Sequence, residues 1–155
     1  MSYTYYHLYN LNINIVRPFT IYGPRGRPDI APYIFMSKIL NEEEISKFES
    51  SEIYRDYAYI DDFVQGFIAA LDTPLGYEIF NLGNSSPTSL NEFISTIEES
   101  CEKNALVKQV DMQQGDVSRT FADISKAGRL LGYAPSISLR DGMNKMRRWF
   151  EELEE

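Results

Sequence analysis

Ile13-Asn14-Ile15-Val16-Arg17-Pro18-Phe19-Thr20-Ile21-Tyr22-Gly23-Pro24-Arg25-Gly26-Arg27-Pro28-Asp29 opens as one kind of structure and closes as another. Ile13, Ile15 and Val16 read as a buried strand. It ends in a turn at Arg17-Pro18, because proline gives no amide hydrogen to a ladder and restricts the residue before it. From Tyr22 to Asp29, Gly and Pro are too frequent for a helix, and Gly26 between two arginines lets backbone approach a ligand closely. Downstream, Phe63, Val64, Phe67, Ile68 and Leu71 recur at helical spacing behind Asp61, which stands where an N-cap is expected. Thr73-Pro74-Leu75-Gly76 ends that helix, and Tyr77 to Leu82 is the next strand. A strand, a long crossover containing a helix, and a second strand predict parallel pairing with a right-handed crossover. Alone, such a unit leaves a sheet edge and apolar faces uncovered, so it is expected to lie beside more sheet than this chain supplies.

The remaining elements follow from the same signals. Met1 to Tyr9 carries four tyrosines and His7 with no helix-start signal, as though the chain begins inside a helix, and His7 reads as a packed or surface histidine. Tyr33 to Leu40 predicts a short helix. Ile45 to Phe48 and Ile53 to Tyr54 suggest a small hairpin leading into an extended stretch over Arg55-Asp56-Tyr57-Ala58-Tyr59-Ile60. Gly83 to Pro87 is a turn. Ser89-Leu90-Asn91-Glu92 carries the capping-box pattern ahead of an apolar face at Leu90, Phe93, Ile94 and Ile97. Ala105 to Val110 reads as a strand and Gln114-Gly115-Asp116 as a turn. Asp123 caps a short helix that Gly132 and Pro135 end. A last helix from Leu139 turns Met143, Met146, Trp149, Phe150 and Leu153 inward.

Composition narrows the function classes. A chain of 155 residues, 43% hydrophobic and 14% aromatic, has enough apolar content for the core of one domain. Its net charge of −8 offers no basic stripe to displace counterions from a phosphate backbone, so nucleic acid is not an expected partner. No run of eighteen apolar residues and no secretion signal is present, which leads to the expectation of a cytoplasmic protein without a membrane partner. Cys101 stands alone, as a small apolar filler late in a helix, and neither a disulfide nor a metal site is expected. Most basic residues are arginines, and Arg17, Arg25, Arg27, Arg55 and Arg119 sit in or beside turns, where planar guanidinium forks suit phosphate and carboxylate.

Arg17 to Asp29, followed by Arg55-Asp56-Tyr57-Ala58-Tyr59-Ile60-Asp61-Asp62, resembles the extended short-chain dehydrogenase/reductase family. Asn81-Leu82-Gly83-Asn84, Gly115-Asp116-Val117 with Thr120 and Ala122-Asp123, and Leu131-Gly132-Tyr133 continue the resemblance in the family's order over nearly the whole chain. Gly26-Arg27-Pro28-Asp29 narrows it to the UDP-glucuronate 4-epimerase branch of the NAD-dependent nucleotide-sugar epimerases and dehydratases. The fold class implied is α/β: the C-terminal part of a Rossmann-like parallel sheet, with remnants near 12–17 and 77–82, plus the small α/β substrate-binding domain. The family's N-terminal part, with its Gly-rich pyrophosphate turn, binds NAD. This chain contains no such turn. Nor does it hold the Tyr-x-x-x-Lys pair, since none of Tyr3, Tyr5, Tyr6 and Tyr9 is followed four residues later by lysine. The resemblance therefore implies that Met1 is an internal residue of a longer enzyme.

In that enzyme a tyrosinate takes the proton of the sugar 4-hydroxyl while NAD accepts the C4 hydride; the 4-keto sugar rotates and is reduced on its other face. No catalytic residue of that step is expected here, and NAD is not expected to bind this chain tightly. The resemblance places Thr20 near the sugar, Arg27 at or near a uronic carboxylate, and Arg55 at the diphosphate. Pro18 and Phe19 match the segment lining the nicotinamide end. Gln113 stands where galactose epimerases carry a second phosphate-binding arginine, and Ser51 where relatives usually have a hairpin glycine, which puts the uracil pocket in doubt. Without the family, Thr20 reads equally as a turn hydroxyl, Arg25 and Arg27 as surface ion-pair partners, and Arg55 as a partner of Asp56 or Asp61. Asp116 and Asp123 read first as turn and cap residues. A UDP-sugar ligand held weakly by a half-site, inactivity of the chain alone, and a homo-oligomer formed through the N-terminal helix or sheet edge complete the expectations. A noncatalytic binding or assembly module and a part of a dTDP-sugar dehydratase remain the alternatives.

Overall fold

The structure, a computed structural model, describes residues 1–48, 53–111 and 117–153. In chain order the elements are α1 (Ser2–Tyr9), β1 (Ile13–Pro18), β2 (Thr20–Tyr22), α2 (Ala31–Leu40), β3 (Glu44–Phe48), β4 (Tyr54–Tyr59) and α3 (Ile60–Asp72). Then follow β5 (Tyr77–Leu82), β6 (Pro87–Ser89), α4 (Leu90–Cys101), β7 (Leu106–Val110), α5 (Ser125–Leu131) and α6 (Leu139–Glu152). β1 and β5 pair in parallel with Ile13 beside Tyr77 and Pro18 beside Leu82, as the crossover pattern predicts. β2, β4 and β6 form a three-stranded sheet, and β3 pairs in parallel with β7.

Register shows how the β1–β5 pair is layered. Ile13 and Tyr77 share one face, where Tyr3 and Tyr6 of α1 pack on the Tyr77 ring at 5.2 and 5.8 Å between centroids. Asn14, Val16, Glu78 and Phe80 share the other. Here Asn14 Nδ2 donates to the Ala70 and Thr73 carbonyls at the end of α3, and Phe63, Val16 and Ala127 pack around the fully buried Phe80. The result is a helix, sheet, helix sandwich two strands wide among the described residues. The larger core lies on the second sheet, where Tyr22, Tyr57 and Phe93 meet Met36, Ile97, Met143 and Met146 from α2, α4 and α6. Tyr57 and Phe93 stack with ring centroids 4.2 Å apart.

Several local expectations hold. Ser89 Oγ accepts from the Glu92 amide at 3.2 Å, so the Ser89 cap starts α4 where the pattern put it. Ser138 does the same for α6 through the Asp141 amide. Gly132 closes α5 with φ of 67°, a left-handed value that a side chain would strain. Cys101 is buried against Met36, and burial pushes its thiol up to about 11.

Others are corrected. The hairpin does not form: β3 pairs with β7, and Tyr54 belongs to β4, whose partners are β2 and β6. Asp61 is not the N-cap of α3. The helix begins at Ile60 behind Tyr59 without a side-chain cap, and Asp61 lies exposed in the first turn. Its neighbour Asp62 is the buried one, accepting from the amides of Ser136 and Ile137 at 3.1 and 3.0 Å. The strand at Ile13 to Val16 is only half-buried, and Leu153 is exposed rather than inward. The apolar face of α3, by contrast, is present and uncovered as expected, with Val64, Phe67, Ile68 and Leu71 between 41 and 69% exposed. Ser51 and the turn at Gln114-Gly115-Asp116 lie outside the described residues.

Buried phenols give the fold an alkaline limit. Desolvation raises the pKa of Tyr22 and Tyr57, and it pushes Tyr133 up to about 12 with help from the Asp62 and Asp56 charges. An unfolded tyrosine ionises near pH ~10, so above that pH the folded chain holds more protons than the unfolded one. Stability from these groups is therefore complete below about pH 10 and falls as pH rises toward their folded values. Urea melts at about pH 9 and about pH 11 should show a lower midpoint at the higher pH, with phenolate absorbance rising together with unfolding. Equal midpoints would refute the buried-phenol account.

Candidate functional site

Phe19 joins β1 to β2 and donates its amide to the Leu82 carbonyl at 3.0 Å, so the chain leaves the first sheet and enters the second within two residues. The loop after β2 is pinned to the start of α3. Gly23 has φ of 148°, and a Cβ there would come within 2.6 Å of Ile60 Cγ2, so only glycine lets the loop lie this close. Gly26 donates back to the Gly23 carbonyl at 3.2 Å, and Arg25 between them takes a left-handed φ of 59°. This fold of the loop borders an open cavity of about 550 Å³ at the C-terminal end of β1, lined by Pro18, Phe19, Thr20, Arg25, Arg27 and Phe63 among others.

Four of the six candidate residues thus meet in one place. Pro18 and Phe19 give it an apolar wall and Thr20 a hydroxyl. Arg27 contributes a guanidinium already engaged. Its Nε and Nη2 donate to Asp29 Oδ1 and Oδ2 at 3.0 and 2.5 Å, and this hydrogen-bonded fork holds the Asp29 carboxyl below the usual carboxylate range. Both side chains are largely exposed, so the pair is a surface ion pair that a ligand carboxylate could replace. That was the plainer of the two readings for Arg27, and the geometry shows it in place.

Arg55 lies apart from this cavity. It stands on β4 two residues before Tyr57, the register partner of Thr20, and its Nη1 donates to the Tyr54 carbonyl at 2.9 Å and to the Ser118 carbonyl at 3.5 Å. Asp56 and Asp61, the two carboxylates that sequence offered as its partners, have other contacts. Asp61 faces Lys145 at 3.8 Å. Asp56 is fully buried and accepts three backbone amides: Asn84 on Oδ1 at 3.0 Å, Ser85 and Ala122 on Oδ2 at 3.0 and 2.8 Å. Gln113 lies outside the described residues.

Sequence reasoning missed Asp56 as the knot that ties β4 to the Asn84 turn and to the segment before α5; an acidic residue alternating into a buried strand was the available signal. Arg119, one of the turn arginines the sequence singled out, has its guanidinium carbon 5.6 Å from the Tyr54 ring centroid and 5.3 Å from that of Phe121, beside the Ser118 carbonyl used by Arg55. Asp123 does act at a helix start. Its carboxylate accepts from the Ser125 amide, which holds it below the usual range, although the backbone cap is Ile124. His7 is exposed and stacks on Tyr3 at 6.4 Å. Among the described residues no group of His, Cys, Asp and Glu could hold a metal ion, and no helix is long and apolar enough to cross a membrane.

The chain is 44% identical over 153 residues to a UDP-glucuronate 4-epimerase of Thermodesulfobacterium geofontis, covering 98% of this chain and 47% of that protein. Among solved structures, UDP-glucuronic acid 4-epimerase from Bacillus cereus in complex with UDP-glucuronic acid and NAD superposes with a TM-score of 0.89 at 35% identity, over 97% of this chain and 49% of that one. UDP-glucose 4-epimerase from Thermotoga maritima with UDP-glucose superposes with a TM-score of 0.92 at 28% identity, over 99% and 50%. The chain therefore spans about half the length of the curated relatives it matches. The family model of the NAD dependent epimerase/dehydratase family matches residues 1–83, which include β1, the cavity loop and the Arg55-Asp56 strand, and the chain belongs to that family.

Proposed function

We propose that this chain is the UDP-sugar-holding part of an NAD-dependent nucleotide-sugar epimerase whose substrate is UDP-glucuronate. The observation that carries the reading is the cavity at the end of β1, which joins an apolar wall, a hydroxyl and an exchangeable arginine. Ligands of open α/β sheets sit outside the carboxyl ends of the strands, which is where Pro18, Phe19 and Thr20 lie. Thr20 donates to the uronic carboxylate, and Arg27 exchanges Asp29 for it. Arg55 and Gln113 meet the diphosphate, with Arg55 offering a charge-assisted fork. Pro18 and Phe19 flank the nicotinamide end of NAD, and their apolar surface fits that contact. Bound NAD supplies the hydride acceptor for C4 of the sugar. The residues of this chain grip the nucleotide and exclude water on one side while the hexose turns.

Calorimetric titration tests this. UDP-glucuronate should bind no better than high-micromolar, because a half-site lacks preorganisation, and NAD-dependent turnover by the chain alone should be absent. Arg55→Ala should weaken UDP and UDP-glucuronate alike by about 10-fold or more, as loss of a charge-assisted hydrogen bond does. Thr20→Val should weaken UDP-glucuronate about 3- to 10-fold and leave UDP unchanged. Nanomolar affinity, or equal affinity for dTDP and UDP with no response to either substitution, would sink the proposal.

Self-association belongs to the same reading. No residue of α1 is buried, and Tyr3, Tyr5, Leu8 and Tyr9 form an exposed apolar surface on the short helix. Sedimentation at rising concentration should show a homo-oligomer, and Tyr5→Lys with Leu8→Lys should return it to monomer. A wild-type chain that stays monomeric throughout would exclude this interface.

A further inference from the structure

We infer that Arg25 is a further specificity-determining residue of this site and that Asp29 opposes it: together they set how strongly the cavity prefers an anionic sugar to a neutral one. The inference rests on the functional reading above and adds what selects the carboxylate. The cavity lining carries Arg25 and Arg27 and no acidic residue, in a chain whose net charge is −8. The two guanidinium groups stand differently. Arg27 is forked onto Asp29 through Nε and Nη2. The Arg25 guanidinium has no hydrogen-bond or ion-pair partner among the described residues. Two cations against one carboxylate leave one positive charge at the wall, and Arg25 carries it.

The loop holds Arg25 where glycine would fold more readily. Its φ of 59° lies in the left-handed region that ordinary side chains seldom occupy, inside the turn that the Gly26 amide closes on the Gly23 carbonyl. Strain kept at an exposed side chain with no partner in the fold brings the fold nothing, and strain of this kind gathers at ligand contacts. A ligand carboxylate meets Arg25 without breaking any bond. To reach Arg27 it must displace Asp29 from both donors, and the Asp29 charge repels it on approach. A neutral hydroxymethyl group in the same place feels neither the attraction nor the rivalry. Arg25 therefore supplies the preference for the anion, and Asp29 limits it.

Titration of the chain with UDP-glucuronate, UDP-glucose and UDP, followed by calorimetry, is the test. Arg25→Gly removes the guanidinium and relieves the backbone. It should melt at or above the parent's temperature, yet bind UDP-glucuronate about 5-fold or more weakly. UDP-glucose, neutral at C6, should change by less than about 2-fold. Arg25→Lys keeps the charge and should recover most of the loss. Asp29→Asn should move the other way, tightening UDP-glucuronate about 3-fold with UDP-glucose unchanged, because Arg27 is then free. An aspartate with a merely structural role would give a loss instead. Raising the salt from about 0.05 to about 0.5 M should narrow the parent's preference for UDP-glucuronate over UDP-glucose. Equal losses for the two sugars in Arg25→Gly, or weaker UDP-glucuronate binding in Asp29→Asn, overturn the inference. If UDP still binds and still responds to Arg55→Ala, the functional reading survives that result; if UDP does not bind the parent, both fall.

Discussion

The Asp56→Ala chain should be largely unfolded under conditions where the parent is folded. Asp56 is fully buried in β4, and its two oxygens accept the amides of Asn84, Ser85 and Ala122. Alanine leaves the buried Ala122 amide without an acceptor, at about 1–3 kcal/mol, and the part-buried Asn84 and Ser85 amides at the lower end of that range each. A total near 3–5 kcal/mol or more is a large fraction of the ~5–15 kcal/mol that holds an ordinary domain together. The loss is not local. Those amides belong to the turn after β5 and to the segment leading into α5, so the three-stranded sheet and the β1–β5 layer lose their common anchor. Gly83, beside the carboxylate, cannot grow to refill the space, since a Cβ there would still sit 2.6 Å from Ala122 Cβ.

Asp56→Asn should fall between parent and alanine. Its single carbonyl can serve Ser85 and Ala122, but the amide nitrogen then faces the Asn84 N–H, donor against donor. Urea unfolding of the three chains, followed by circular dichroism, orders them directly. An alanine variant melting with the parent would show that the carboxylate is dispensable and that water takes its place.

The legible parts of this fold are those set by neighbours in sequence. The Ser89 N-cap, the span of β5, the start of α6 at Leu139 and the glycine stop at Gly132 each depend on residues within a turn or two. Pairing of β1 with β5 was also legible, because handedness and a long crossover leave little choice. The partner of β3 was not. Alternation marks Ile45 to Phe48 as a strand but carries no address, and the partner, β7, lies some sixty residues on. β6 was hidden by Pro87, which reads as a turn residue and is tolerated because β6 is the sheet's edge strand. The α3 face was legible as apolar from its periodicity, and its exposure follows from the uncovered faces that so small a strand-helix-strand unit leaves.

For the site, the motif located the loop and the cavity, so Pro18, Phe19, Thr20 and Arg27 came out together. Which carboxylate each arginine meets depends on side-chain reach across strands. Arg27 with Asp29 was within reach of sequence reasoning. Asp56 with amides of residues 84, 85 and 122 was not, since nothing local marks them as donors.

Gly142→Ala should destabilise the chain although alanine is the better helix former. Within α6 the exchange gains up to about 1 kcal/mol of propensity. Against that, an alanine Cβ would lie 2.0 Å from Tyr22 Oη, 2.7 Å from its Cζ and 2.9 Å from Tyr59 Cδ2. Tyr22 has nowhere to retreat. It is 2% exposed, meets Tyr57 and Tyr59 edge-on at 6.4 and 5.6 Å, and donates its hydroxyl to the Leu139 carbonyl at 3.3 Å. Overpacking of this kind costs about 1–3 kcal/mol in shifted side chains and backbone, so a net loss near 1–2 kcal/mol is expected. Removing the hydroxyl should return part of it: Gly142→Ala with Tyr22→Phe should be more stable than the two single losses added, because the tightest contact disappears while the Cζ contact stays. Tyr22 ends β2, the strand that Thr20 begins, so displacement of the ring moves the wall of the cavity as well. The single variant should therefore bind UDP-glucuronate more weakly than the parent, and the double variant should recover affinity along with stability. Strict additivity in urea melts, with unchanged affinity, would disconnect α6 from the site.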